Sequence, residues 1–168
     1  MSVRADPAER DEPSANSGSY IHATALAIGE AGILIRGPSG AGKSRLALEL
    51  IAEASRHGLF AKLVGDDRVA VEAHGARLIA RGHPAIAGRI ESRGEPIIDV
   101  VYEASVIVRL VVDLGGEAAR SSMRLPRPGT QISLSGVLLP QLCLDGPGPQ
   151  QAGIVIGRLL RMGNGQPD

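Results

Sequence analysis

The 168 residues carry 18 basic and 18 acidic side chains, so the formal net charge is zero, and only 2% of the residues are aromatic. A chain of this length is expected to form one domain, and the lack of a basic block or of stacking aromatics argues against nucleic-acid binding. No apolar run reaches about 18 residues and no apolar leader begins the chain, so we expect a cytoplasmic protein without a membrane segment.

The first 18 residues are polar and are predicted to form a disordered tail. We predict one domain over residues 19–162 and a second short disordered tail over 163–168. The domain opens with a predicted strand, Tyr20–Ile28, which carries His22. A single histidine on a strand is more often structural than functional, so this pattern alone leaves the role of His22 open.

The most informative stretch is a strand, a glycine-rich loop and a helix in succession. The apolar run Ile33–Ile35 predicts a buried parallel strand, and apolar residues at helical spacing follow the loop. The loop matches G-x-x-x-x-G-K-[ST] at every fixed position, and this context is typical of a phosphate-binding P-loop. The predicted nucleotide-binding residues are Gly37, Pro38, Ser39, Gly40, Ala41, Gly42, Lys43 and Ser44.

The residues of this motif each have a chemical reason to be there. Glycines allow backbone N–H groups and the helix N-terminus to point at phosphate oxygens. Lys43 adds a positive charge near the β- and γ-phosphates, and the Ser44 hydroxyl can ligate Mg²⁺. The alternative is a glycine-rich turn without a ligand. We therefore predict that the chain binds ATP, or a similar polyphosphate, together with Mg²⁺.

Two acidic residues follow the next predicted strand, Leu59–Gly65. Asp66 and Asp67 lie where that strand ends, and ligands of open α/β sheets bind at this edge. A carboxylate in this position can hold Mg²⁺ or accept a proton from an attacking hydroxyl. The alternative is a solvated turn, since aspartate is common in turns.

The rest of the chain completes an α/β pattern. We predict a β-hairpin around His74-Gly75, a central strand in residues 103–114, and one or two strands over 131–144 that break at Pro140. A final helix over 152–162 is expected to pack on the sheet. The predicted fold class is therefore α/β, a P-loop-containing sheet flanked by helices, with an additional β-hairpin.

Two further segments carry charged residues. In residues 90–100, Glu91 and Arg93 would share one face of an extended strand, and an exposed ion pair is one explanation of this spacing. Residues 115–127 are polar and contain three arginines, Arg124 among them, and are predicted to form a mobile loop.

Four segments together resemble the catalytic domain of the bacterial HPr kinase/phosphorylase family. His22 lies fifteen residues before the loop, as in that family, and the double aspartate follows the first helix. Residues 90–100 match the family signature (L/I)-E-I-R-G-x-G-I-I-x-V except at Ser92 and Pro96. The resemblance covers roughly residues 20–101.

The resemblance implies an ATP-dependent enzyme that phosphorylates a serine of HPr, the phosphocarrier protein of the sugar phosphotransferase system, and that also catalyses the reverse dephosphorylation. Lys43 would bind the transferred phosphate, and Ser44 with Glu91 would hold Mg²⁺. Asp67 would be the general base, with Asp66 beside it and His22 orienting the pair. Arg93 would belong to the same active-site segment. Arg124 aligns with an arginine of a family loop.

The sequence also departs from the family pattern. A basic loop of the family corresponds here to residues 145–150, which contain no basic residue. We expect a short, single-domain version of the family that is able to form a homo-oligomer. Two other functions share the P-loop: a small-molecule kinase, and a nucleotide-dependent regulatory switch that needs no base for a protein hydroxyl.

Overall fold

The computed structural model describes residues 20–91, 94, 96–115 and 130–163. Both predicted tails (apart from Gly163) and nearly all of the predicted arginine-bearing loop lie outside these ranges. The strands are β1 Tyr20–Ile21, β2 Ala23–Ile28, β3 Ala31–Arg36, β4 Ala61–Gly65, β5 Val69–His74, β6 Arg77–Gly82, β7 Arg89–Ile90, β8 Ile98–Asp99, β9 Ser105–Leu114, β10 Gln131–Leu134 and β11 Val137–Leu144. The helices are α1 Lys43–Arg56, the short 3₁₀ helix Pro84–Ile86 and α2 Pro149–Gly163.

In the described part of the chain, nine strands form one mixed sheet. Its order is β1-β5-β6-β9-β3-β2-β4, and β11 and β10 extend it from β9. The long strand β9 pairs with antiparallel β6 through its first four residues, with parallel β3 from Val108 to Asp113 and with parallel β11 through its last four residues. The central position predicted for this strand is therefore confirmed.

One face of the sheet is covered by both α-helices. Buried residues of α1 and α2 pack with those of β2, β3, β4 and β9 in one cluster. α1 ends where Gly58 adopts a left-handed backbone with φ 67°, and the Leu59 N–H reaches the Ala54 carbonyl at 2.9 Å. This is the hydrogen bonding of a Schellman motif, and it reverses the chain toward β4.

The other face of the sheet closes on itself. Three strands lie between β4 and β6 in the sheet order. Gly65 and Gly82 are nevertheless so close that a Cβ on Gly65 would lie 2.6 Å from the Gly82 Cα. The fully buried alanines Ala23 and Ala25 of β2 face the same interior. Small side chains thus allow the sheet to curl tightly, and the curl brings the end of β4 over the end of β6.

Three predicted boundaries differ from the structure. β11 runs through Pro140, and the break lies at Ser135 and Gly136, whose positive φ values of 49° and 80° form a two-residue turn. Pro140 pairs with Gln131 of β10, but the bond to β10 at this point comes from the Gln141 N–H, which donates to the Thr130 carbonyl at 2.8 Å. On its other side β11 pairs with β9 only from Gln141 onward, so the missing N–H of proline is tolerated. The first predicted strand is interrupted at His22, and α2 includes Gly163. None of the described helices is long and apolar enough to cross a membrane.

The close approach of β4 and β6 predicts that Gly82→Ala destabilises the fold. The new methyl group would overlap the Val64 carbonyl and lie 3.1 Å from the Gly65 Cα. Both neighbours are backbone atoms, so we expect a loss of about 1–3 kcal/mol in the free energy of unfolding, measured in urea. Gly153→Ala is the matched control, because this position in α2 has no heavy atom within 4 Å of the new Cβ and should gain up to about 1 kcal/mol. Equal stability of the two variants would contradict this explanation.

Candidate active site

The glycine-rich loop between β3 and α1 requires glycine for both conformation and space. Gly42 has φ 91°, and a Cβ there would lie 2.5 Å from the Pro147 Cγ. At Gly37 a Cβ would lie 2.5 Å from the Leu114 carbonyl oxygen. The loop is therefore held against the ends of β9 and of the segment that follows β11.

The first turn of α1 is open to an anion. Gly42 is the N-cap residue, so no side chain caps the helix, and the first turn contains no acidic residue. Backbone N–H groups at a helix start have no partner within the helix, and the helix dipole adds positive potential there. Together these features make a favourable site for a phosphate group.

Lys43 is folded back over its own loop. The residue is only 5% exposed, and its Nζ donates to the carbonyl oxygens of Gly37 and Pro38 at 3.1 and 3.2 Å. A third contact of 2.8 Å joins Nζ to His22 Nε2. Burial lowers the pKa of Lys43 below its ordinary value, against the opposing effect of the nearby Asp66 and Asp67 carboxylates.

His22 connects Lys43 to Asp67. Its Nδ1 lies 2.6 Å from Asp67 Oδ1, on the opposite side of the ring from the contact with Lys43. A charged ammonium group can only donate, so Nε2 must accept and the ring proton must be on Nδ1. With Lys43 as the donor to Nε2, His22 donates from Nδ1 to the Asp67 carboxylate.

The neighbouring Asp66 has a very different environment. It is 5% exposed and accepts hydrogen bonds from Thr24 Oγ1 at 2.6 Å and from Ser44 Oγ at 2.9 and 3.0 Å. The backbone N–H of Glu91 adds a longer contact of 3.3 Å. A carboxylate with this many donors is fixed in place, and its lone pairs are largely engaged.

Asp67, by contrast, is exposed and held in an unusual backbone conformation. Its side chain is 65% exposed and has His22 as its partner, while its φ of 66° lies in the left-handed region. Aspartate tolerates this region better than most residues, but a non-glycine residue there is uncommon. This turn directs the Asp66 carboxylate into the protein and the Asp67 carboxylate toward solvent.

These groups surround one cleft of about 440 Å³, a volume typical of small-ligand sites. Its lining includes Lys43, Ser44, both aspartates and Glu91. The described residues contain no group of three or more His, Cys, Asp or Glu side chains arranged to hold a metal ion. The donors present nevertheless suit Mg²⁺, which takes oxygen ligands and is usually held by one or two carboxylates with phosphates and waters.

The structure thus brings together ten of the predicted residues around this cleft: His22, Ser39, Gly40, Ala41, Gly42, Lys43, Ser44, Asp66, Asp67 and Glu91. Arg93 and Arg124 lie outside the described residues. Sequence reasoning missed Thr24 and Pro147. Thr24 was detectable, because a period of two places it on the same strand face as His22. Pro147 follows β11 at the same sheet edge as the glycine-rich loop, and topology could have indicated it.

Comparison with known proteins, by sequence and by structure, leads to one family. The family model described as "HPr Serine kinase C-terminal domain" matches residues 15–144. A solved structure titled as the Hpr(Ser) kinase/phosphatase from Coxiella burnetii superimposes with a TM-score of 0.66 at 26% identity, covering 86% of this chain and 98% of that one.

Curated relatives share the family but are longer. An HPr kinase/phosphorylase from Streptococcus pyogenes is 37% identical over 132 residues, which cover 73% of this chain and 40% of that protein. Another, from Mycoplasma mycoides, is 41% identical over 80 residues, which cover 48% of this chain and 24% of that protein. The chain therefore spans less than half the length of the curated relatives that it matches.

The environment of Asp66 predicts that Thr24→Val destabilises the protein. Valine has nearly the same shape but removes the hydroxyl that donates to this buried carboxylate. Leaving a buried acceptor short of a donor is expected to lower the free energy of unfolding by about 1–3 kcal/mol. Thr24→Ser keeps the hydroxyl and serves as the control in the same chemical denaturation experiment. A Val variant as stable as the Ser variant would show that the hydrogen bond contributes nothing.

Proposed function

We propose that this chain, which belongs to the HPr serine kinase C-terminal domain family, is an ATP-dependent protein serine kinase that phosphorylates HPr. The observation that carries the proposal is the hydrogen-bonded series Lys43–His22–Asp67, which links a phosphate-binding lysine to an exposed carboxylate through one imidazole. Phosphoryl transfer needs a donor phosphate and an acceptor hydroxyl near one another. In this series Lys43 is the candidate group for the phosphate, and Asp67 is the candidate group for the hydroxyl.

The phosphate side of the site is supplied by the loop and the start of α1. Uncapped N–H groups and the Lys43 ammonium would bind the triphosphate of ATP. Mg²⁺ would be held by the Ser44 hydroxyl with Glu91, and when bound it neutralises charge on the phosphate oxygens. Ser44 donates its proton to Asp66, so its oxygen lone pairs stay available for a cation.

The acceptor side of the site is supplied by Asp67. Of the two aspartates, only Asp67 has a carboxylate that is exposed enough to meet a hydroxyl on another protein. His22 fixes one oxygen of this carboxylate, and the other oxygen can take the serine proton as the hydroxyl attacks. Asp66 then acts through position and charge and not as the base. Because the Asp67 side chain is exposed, a protein segment can reach it.

The same site could serve the reverse reaction. The relatives are described as kinase/phosphorylase or kinase/phosphatase. Removal of phosphate from a phosphoserine would use the same groups: water attacks the phosphorus as Asp67 takes its proton, the bond from phosphorus to the serine oxygen breaks, and that oxygen receives the proton from Asp67. We therefore propose that release of phosphate from phosphorylated HPr be followed in parallel with the forward reaction.

The role of Asp67 predicts that Asp67→Asn loses transfer while it keeps nucleotide binding. An amide has the shape of the carboxylate but cannot take up a proton, so serine phosphorylation of HPr should fall at least about 100-fold. The measurement is transfer of labelled phosphate from ATP to purified HPr, with ATP affinity determined separately by titration. Asp99→Asn is the matched control, because Asp99 is 89% exposed and lies outside the cleft.

Three results would contradict the proposal. If HPr stays unlabelled by the wild type while ATP is bound or hydrolysed, the chain is a nucleotide switch and not a kinase for HPr. If Asp67→Asn labels HPr as fast as the Asp99→Asn control does, the base lies elsewhere. Rapid transfer to a small hydroxyl compound without HPr would instead indicate a small-molecule kinase.

A further inference from the structure

A second contact lies beside the His22–Asp67 pair and joins the same two segments of chain. The guanidinium carbon of Arg68 lies 5.3 Å from the centroid of the Tyr20 ring, a cation–π distance. The other neighbour of this ring is His83, whose ring centroid is 5.0 Å away at an interplanar angle of 48°. Tyr20 and Arg68 are both exposed, so this group, the Arg68–Tyr20 pair with His83, forms part of the surface.

The Arg68 charge is held in place without being neutralised. Within the described residues, Arg68 forms no ion pair with a carboxylate, whereas Arg36 pairs with Asp113 at 2.8 Å and Arg45 with Glu49 at 3.2 Å. A cation–π contact uses the face of the guanidinium group and leaves the N–H donors at its edge available. The arginine is thus oriented and able to bind an anion.

The position of this pair relative to the cleft decides what the anion belongs to. Tyr20 begins β1, and His22 directly follows this two-residue strand. Arg68 directly follows Asp67, and β1 and β5 pair next to them through Ile21 and Val69. Neither Tyr20 nor Arg68 lines the nucleotide cleft, although His22 and Asp67 do. The guanidinium of Arg68 therefore lies outside the nucleotide cleft and belongs to the residue next to Asp67.

We propose that Arg68, oriented by Tyr20, is a docking subsite for an acidic side chain of the protein acceptor, close to the hydroxyl that becomes phosphorylated. The inference rests on the proposed kinase function and adds a determinant of acceptor specificity to it. A guanidinium edge can take a carboxylate through two parallel hydrogen bonds, which fixes direction as well as distance. An acceptor bound in this way would present its hydroxyl to Asp67 in a defined orientation.

The subsite predicts an effect on acceptor affinity that is separate from chemistry. Arg68→Ala should raise the KM for HPr about 5-fold, the range of an exposed ion pair, and Arg68→Glu should raise it further through repulsion. The kcat at saturating HPr and the KM for ATP should stay near wild type. Added salt should raise the KM of the wild type and have much less effect on Arg68→Ala, because screening acts only where the charge pair forms.

Arg77→Ala is the matched control for these assays. Arg77 is exposed like Arg68 but lies at the opposite end of the β5–β6 hairpin, so its removal changes net charge equally without touching the subsite. Tyr20→Leu provides a second test, because it keeps Arg68 but removes the ring that orients it. We expect this variant to lie between wild type and Arg68→Ala in its KM for HPr.

The outcomes separate the subsite from the kinase function. Wild-type enzyme that labels HPr, with an unchanged KM and salt dependence in Arg68→Ala, would overturn the subsite and leave the function intact. A loss confined to kcat would also overturn it, since Arg68 would then act through Asp67. If wild type does not label HPr at all, the proposed function and the subsite for HPr are both overturned.

Discussion

The buried carboxylate of Asp66 is the constraint on which the site depends. A carboxylate removed from water is strongly unfavourable unless donors surround it. Its donors come from β2, from the first turn of α1 and from the chain after β7, three places far apart in sequence. The requirement to satisfy one charge therefore fixes the helix start, the strand that follows His22 and the segment of Glu91 relative to each other.

The curl of the sheet determines where that carboxylate can be. The two aspartates directly follow β4, and the close contact between Gly65 and Gly82 helps this end fold over toward β6. A bulkier pair would flatten the sheet and withdraw Asp66 from Ser44. Glycines outside the phosphate-binding loop thus contribute to the site through packing, whereas Gly42 contributes through its backbone angle. The same residue type serves two physical purposes in one domain.

Much of this arrangement could be predicted from sequence, and the reasons are specific. The glycine-rich loop has a local sequence pattern, and the resemblance to the family connects this loop with His22, Asp66 and Asp67. The sequence could not predict that Asp66 is buried and Asp67 exposed, because the burial and the φ angle of these residues are set by the curl of the sheet. The contact of Arg68 with Tyr20 also lacked a signal, since it depends on the pairing of β1 with β5. The strand prediction was wrong at Pro140, because whether β11 can accommodate a proline depends on which strand pairs with each half of β11.

Contacts within the protein already engage the ammonium group of Lys43. Its three N–H donors are directed at two loop carbonyls and at His22, so a phosphate that binds the ammonium does so by displacement. Nucleotide affinity is therefore the difference between two sets of contacts, and a change at residue 22 alters it even without touching a phosphate. When His22 is the partner displaced, its Nε2 loses its contact with Lys43 while its Nδ1 still faces Asp67. Occupancy by nucleotide and the hydrogen bonding of the imidazole beside Asp67 are then thermodynamically linked.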